Sequence, residues 1–295
     1  MAVVINTNVD ALKIQNILSS STEKLSQSMQ RMSSGSQINS AKDNAAGVVI
    51  SARMNVQLDG NQICQKNVQN ANALLSTVEG NLDVVLDNVT RIRDLTLQAK
   101  NGTYSDNEIE AMQKEVDERI AEIDRISASS KFSQLKLFGD TATNGLANAG
   151  ASFQVGQNAD ENGKTDNVIT ADKSIFGSVK FSSLTGQTGA FNLASIKAGS
   201  GDYADFNVAL KKLDTAIDNL TARKSLIGSA QARLTSALDT LTTQYSNLSS
   251  AKSIITDADV ASEASNFTQN QILQQVSTSL LAQANQAPSV ALSLI

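Results

Sequence analysis

From Leu210 to Leu248 apolar residues recur in alternating steps of three and four: Leu210, Leu213, Ile217, Leu220, Ile227, Leu234, Leu238, Leu241, Tyr245 and Leu248. Only Lys224 and Gln231 interrupt the series. A repeat of this kind, sustained over more than five heptads, imposes a narrow seam and a left-handed supercoil. The stretch is therefore predicted to be one coiled-coil helix, about 60 Å long at roughly 1.5 Å per residue, with Leu213, Leu220, Ile227, Leu234, Leu241 and Leu248 as its bundle seam. Such a stripe needs partners. Lys224 and Gln231 either leave the seam partly solvated or fix its register.

One candidate partner runs through Leu82, Val85, Val89, Ile92, Thr96 and Ala99, again in three-four steps, with Leu86 and Leu95 widening the stripe toward a second neighbour. Another begins at Ser105 and Glu108, which have the spacing of a capping box, and carries Ile109, Met112, Val116, Ile120 and Ile123 on one face. Asn101-Gly102-Thr103 separates the two, so they are predicted to fold back as an antiparallel hairpin against the 210–248 helix.

The chain ends are different. Ala11, Ile14, Leu18, Leu25 and Met32 form a thin heptad within residues 10–33. Residues 258–287 carry Ala264, Phe267, Ile272, Leu273, Val276, Leu280, Leu281 and Ala284. Both segments are rich in Ser, Thr, Asn and Gln, so each alone is a marginal helix in water and is expected to order against partners: the other end of the chain and other copies.

Helix breakers divide the sequence. Proline is missing until Pro288, and ten of the sixteen glycines lie between Gly139 and Gly201. Between Phe132 and Asp202 short strand-like runs, such as Ser152–Val155 and Val179–Phe181, are predicted to form hairpins capping one end of the bundle. The expected fold class is mainly α: a long coiled-coil helical bundle with a small β-hairpin region in mid-sequence.

Composition narrows the chemistry. There is no histidine and Cys64 is the single cysteine, which removes His-based triads, Cys/His dyads, His-ligated metals and Cys-rich zinc sites. No catalytic residue, cofactor or metal site is expected, and Cys64 reads as a small residue on a helix. There is no Trp and only three Tyr and eight Phe, so narrow helix seams fit better than a wide core built on aromatic anchors. A net charge of −5 and a pI near 4.9, with no Lys/Arg cluster, argue against a nucleic-acid partner. Met1–Asn8 lacks a basic leader followed by an apolar stretch, and no run approaches a membrane span, so the usual rules predict a cytosolic protein without membrane insertion.

Several ordered motifs resemble one family. Val4-Ile5-Asn6-Thr7-Asn8, Met32-Ser33-Ser34-Gly35 and Ile38-Asn39-Ser40-Ala41-Lys42-Asp43-Asn44-Ala45-Ala46-Gly47 look like the N-terminal signature of bacterial flagellins. Glu122-Ile123-Asp124-Arg125-Ile126, Phe153-Gln154-Val155-Gly156, Asp257-Ala258-Asp259 and Leu281-Ala282-Gln283-Ala284-Asn285-Gln286 continue the match. The resemblance spans about residues 1–156 and 205–295, and a series of motifs in order is far more specific than any one.

The resemblance implies a structural subunit that polymerises through its terminal helices into the flagellar filament for motility. It implies residues 1–40 and 255–295 as the two halves of an inner coiled-coil core, and 41–138 with 205–254 as the bundle. Residues 139–204 become a hairpin region in place of a large variable domain. It also replaces the cytosolic reading with a secreted, extracellular one, because flagellins leave unfolded through the type III export apparatus without a cleaved signal peptide. An export chaperone is implied on residues 255–295, which include Phe267, Ile272, Leu273, Val276, Leu280 and Leu281. Hook-associated and filament-cap proteins are implied as further partners. Arg91-Ile92-Arg93-Asp94-Leu95, with Glu115, matches a stretch that serves subunit contact and, in some flagellins, a host innate immune receptor. There Arg91 would anchor a partner by forked hydrogen bonds beside Leu95. Departures from the pattern are Gln37, Ile254 and Thr256 where the family often has charged residues, and Asn70-Ala71-Asn72, which should favour a continuous helix. The alternatives are a hook-filament junction protein, which shares the terminal plan, and a non-filamentous coiled-coil adhesin or secretion-needle tip.

Overall fold

The computed structural model describes residues 8–139, 145–158, 166–186, 189–198 and 205–292, the last six by their backbone alone. The Val4–Thr7 part of the opening signature lies outside the described residues. The chain forms two compact units, one of Met1–Asp59 with Tyr245–Ile295 and one of Gly60–Gln244. The breaks between long helices fall elsewhere, at Ser34 to Ala45 and at Thr256 to Val260.

In the unit Gly60–Gln244, the core is built by helices α2 (Ala45–Ala99), α3 (Asp106–Ser129) and α7 (Phe206–Thr256), the first and last of which run on past the unit's bounds. The α2 stripe starts well before Leu82. Asn61, Cys64, Val68, Ala71, Leu75 and Val78 extend the same three-four series backward, and no member from Asn61 to Ala99 is more than 3% exposed. Asn70-Ala71-Asn72 lies in unbroken helix, as its alanine favours. The predicted break at Asn101–Thr103 is present, and α3 opens with the Glu108 carboxylate accepting the Ser105 N–H at 2.7 Å and its hydroxyl at 2.8 Å. Ile109, Val116 and Ile123 are buried and Met112 and Ile120 pack against the same core.

On α7 one of the two expected columns is displaced. Leu213, Leu220, Ile227 and Leu234 are fully buried and Leu241 nearly so, but Leu210, Ile217 and Leu238 are only half-buried. Between the buried leucines the inward positions belong to Ala209, Ala216 and Ala230, with Ala237 packed at the core's edge. Small residues there let neighbouring helices approach closely. Leu248 belongs to the other unit and is half-buried. The slot between Ala216 and Ala230 holds Arg223, whose Nη1 donates to the Gly177 carbonyl at 3.0 Å, and burial pushes its pKa down.

Lys224 and Gln231 flank the seam and reach across it: Lys224 donates to Asp83, and Gln231 to Ser76 and Glu79 at 3.3 Å. Arg93 pairs with Asp214 and Lys100 with Asn207. From Ser76 to Asp83 and from Arg93 to Lys100, each heptad forward on α2 meets a heptad backward on α7. Both side chains stay partly exposed, so the seam is partly solvated here, and each also makes a contact that a shift of register would break.

The mid-sequence segment joins the same core. Strands β1 (Lys131–Phe132) and β2 (Leu135–Lys136) form one antiparallel hairpin, with Ser133 at φ 57°, and β3 (Ala151–Gln154) and β4 (Val168–Ala171) form another. Between and after them come α4 (Gly145–Ala149), a 3-10 turn (Lys173–Phe176), α5 (Phe181–Thr185) and α6 (Leu193–Lys197). Ser152 to Gln154 of the Ser152–Val155 run are strand, Val155 lying just past its end, but Val179–Phe181 is not. Val179 is fully buried in a loop, and Phe181 opens α5 with its N–H taken by Asp124 Oδ1 at 3.1 Å. Phenylalanines gather here after all. Phe138, Phe176, Phe181 and Phe191 are buried, the last two edge to face with ring centres 5.5 Å apart.

The other unit is held by α1 (Val9–Ser34) packed along α8 (Val260–Leu292). Asn8 caps α1 by accepting the Ala11 N–H at 3.0 Å, and its amide donates to the Ala284 carbonyl at 2.9 Å, tying the start of one helix to the end of the other.

Candidate assembly interface

On α1 the residues turned toward α8 include every member of its apolar heptad, with two serines between them, whereas on α8 most of the residues that the apolar pattern singles out face elsewhere. On α1 the inward series is Ala11, Ile14, Leu18, Ser21, Leu25, Ser28 and Met32, and its two most buried members are serines. On α8 it is Glu263, Phe267, Asn270, Gln274, Ser277, Leu281 and Ala284, with Glu263 and Ser277 the most buried. Phe267 and Leu281 therefore sit where an intramolecular stripe needs them. Ile272, Leu273, Val276 and Leu280 do not: they are 55, 40, 47 and 47% exposed. On α1, Leu12, Ile17 and Met29 are each a little over half exposed. Ile272 and Leu273 line a surface groove of about 590 Å³ along α8 with Ala264 and Thr268.

The seam between the two helices is polar where it is tightest. Arg31 Nη1 donates to Glu263 Oε1 at 3.0 Å, with the two side chains only 27 and 11% exposed. Burial works to raise the Glu263 pKa, but hydrogen bonds from Arg31 and Ser28 outweigh it and hold the carboxyl below its ordinary range. Gln274 Nε2 reaches Thr22 at 3.3 Å. Heptad positions filled by Ser, Gln and Glu carry no apolar signal, which is why sequence reasoning missed Ser21, Ser28, Arg31 and Glu263. The long-range spacing was the trace of them.

The signature motifs flank this pair and work as caps and turns. Gly35 ends α1 at φ 68°. Asp43 Oδ2 accepts the Asn39 and Ser40 N–H groups, and those bonds lower its pKa. Asn44 Oδ1 accepts the Gly47 N–H at 2.9 Å, and a Cβ on Gly47 would come within 2.6 Å of Ile38 Cδ1. Asp259 caps α8 by accepting the Ala261 and Ser262 N–H groups. The two turns clasp each other: Ala258 N–H donates to the Gly35 carbonyl at 2.9 Å, Gln37 N–H to Thr256 at 2.8 Å, and the Gln37 side-chain amide to Ile255 at 2.8 Å. Gln37 thus makes contacts that need no charge, whereas Ile254 is 82% exposed.

In the unit Gly60–Gln244, Arg91 forks onto Glu115 at 2.7 and 3.1 Å. The hydrogen bond holds the Glu115 carboxyl below its ordinary range and raises the guanidinium pKa. Both side chains remain partly exposed, at 46 and 35%. Leu95 does not join them at the surface. It is 2% exposed and belongs to the bundle core, so it offers no apolar neighbour to a partner at Arg91. Among the described residues no cluster of His, Cys, Asp and Glu could hold a metal ion, and no helix is long and apolar enough to cross a membrane.

Residues 5–143 match the bacterial flagellin N-terminal helical region and residues 210–295 the bacterial flagellin C-terminal helical region. The chain is 37% identical to a flagellin of Xenorhabdus nematophila over the full length of both. It is 32% identical to the flagellar filament 30.7 kDa core protein of Treponema maltophilum over 96% of each. A solved flagellin of Bacillus cereus aligns with 63% of this chain and 94% of its own, with 28% identity and a TM-score of 0.46.

Proposed function

Because this chain belongs to the bacterial flagellin family and is a structural subunit of the flagellar filament, we propose that copies join through the outward apolar faces of α1 and α8. The observation that carries this reading is the divided pattern of α8. Phe267 and Leu281 face α1 together with Glu263, Asn270, Gln274 and Ser277, while Ile272, Leu273, Val276 and Leu280 face solvent. Leaving four such side chains half in water is unfavourable, and a second copy covering them gains roughly 25 cal/mol per Å² of apolar surface removed from water. The filament is extracellular in this reading. The same face, within residues 255–295, takes the export chaperone before assembly, and hook-associated and filament-cap proteins meet the terminal pair at the filament's ends.

Arg91 and Glu115 form a second, smaller contact point for a neighbouring subunit or a host innate immune receptor. Their fork already satisfies both groups, so any partner there must compete with Glu115 for Arg91. The hook-junction and adhesin alternatives are not favoured, since whole-length relatives are filament proteins.

The test is growth on seeds. Removing residues 278–295, or replacing Leu273, Val276 and Leu280 together with serine, should leave the helical signal and cooperative melting of the Gly60–Gln244 unit intact. Negative-stain microscopy should then show no elongation from flagellar seeds. Normal filaments from either variant would refute the terminal-face reading.

A further inference from the structure

Between α2 and α3 the chain turns through Asn101-Gly102-Thr103, and every one of these residues is exposed. The Asn101 N–H donates to the Gln98 carbonyl at 2.9 Å, and the Asn101 carbonyl accepts from Tyr104 at 3.5 Å. Among the described residues nothing accepts the Gly102 N–H, and the Asn101 side chain makes no hydrogen bond. No heavy atom lies within 4 Å of where a Cβ on Gly102 would sit. An asparagine amide and the next residue's nitrogen are thus both free, and the residue after the amide is the one with the widest backbone freedom.

We propose that Asn101-Gly102 is a site of spontaneous backbone-assisted deamidation. The Gly102 nitrogen loses its proton to water and attacks Asn101 Cγ. A C–N bond forms, the bond from Cγ to the side-chain nitrogen breaks, and ammonia leaves with the proton it takes up. Water then opens the resulting five-membered imide at either carbonyl, giving aspartate or isoaspartate at position 101.

The product lies in a charged setting. Asn101 lines a surface pocket of about 470 Å³ with Arg91, Asp94, Leu97, Gln98 and Tyr104. A carboxylate there adds a negative charge to the rim of this pocket and places it just past the C-terminus of α2, where the helix dipole opposes it. Conversion at this turn makes the pocket rim more acidic as the protein ages, without any enzyme.

Intact chain is held in warm, mildly alkaline buffer, then digested and mapped by mass spectrometry. Mapping separates residue 101 from the Asn144-Gly145 and Asn162-Gly163 steps. The expected result is an amide-to-acid mass gain at Asn101, isoaspartate in excess over aspartate, and an acidic shift on isoelectric focusing. The Gly102→Ala chain, whose added methyl group meets open space, should stay folded and convert several-fold more slowly. Asn101 that remains an amide in native chain while urea-unfolded chain converts would overturn the proposal, as would equal rates in wild type and Gly102→Ala.

Discussion

Truncating Leu234 to alanine removes a side chain with no exposed surface from the centre of a packed seam. The expected cost is about 2–5 kcal/mol, the transfer free energy of the lost methyl groups plus the cavity they leave, read as a fall in the urea midpoint. The same kind of change at Ile272, which is 55% exposed, should leave that midpoint almost unmoved and appear only as slower growth on seeds. Cys64 gives a residue-scale test of the extended α2 stripe. It is 3% exposed and burial pushes its thiol pKa up, so a water-soluble disulfide reagent should label it slowly in the folded chain and at once in denaturant. Fast labelling of native protein would mean that the stripe does not pack as far back as Asn61.

At the scale of helices, the patterns legible in the sequence were those written in large aliphatic residues. Half the α7 seam, the α2 stripe from Leu82 onward and the α3 face could be read that way. The alanine column of α7 could not, because Ala209, Ala216 and Ala230 are weaker apolar marks than the leucines beside them, and only packing shows which column faces inward. The α1 heptad of Ala11, Ile14, Leu18, Leu25 and Met32 does face α8, but the α8 pattern mixes two faces: Phe267, Leu281 and Ala284 turn toward α1, Ile272, Leu273, Val276 and Leu280 point away, and Glu263, Asn270, Gln274 and Ser277 fill inward slots without an apolar mark. Val179–Phe181 has strand composition, yet a cap from Asp124, far away in sequence, turns Phe181 into a helix start.

The polar seam predicts a pH dependence for this pair. Glu263 has its pKa lowered in the folded chain, so its contribution is fully present above the ordinary glutamate value and is lost as pH falls through the depressed one. Protonation also leaves Arg31, only 27% exposed, without its anion. Helicity followed against pH should show the α1–α8 signal weakening in acid. The Glu263→Gln chain should start weaker at neutral pH and change less on acidification. An identical acid profile in both chains would remove this ion pair as a determinant.

For the whole molecule, the division at Asp59/Gly60 and Gln244/Tyr245 has a consequence for how stability is distributed. The unit Gly60–Gln244 is one unbroken stretch of sequence, and it owns nearly all the fully buried aliphatic and aromatic side chains. The other unit is assembled from both chain ends, with serines and one ion pair at its tightest points and aliphatic groups left in water. On the proposed reading, in which the chain is exported and then polymerises, this asymmetry is useful, since the assembling part is held together weakly until another copy covers it. A fragment of residues 60–244 is therefore expected to fold alone, melt in one cooperative transition and sediment as a monomer even when mixed with filament seeds. The intact chain should show an additional earlier loss of helicity, contributed by the terminal pair, and that early phase should move to higher temperature once the protein is polymerised. Circular dichroism melts of fragment, monomer and filament measure all three. A fragment that stays unfolded, or an intact monomer that melts in a single step with the fragment, would show that the two ends and the bundle stand or fall together.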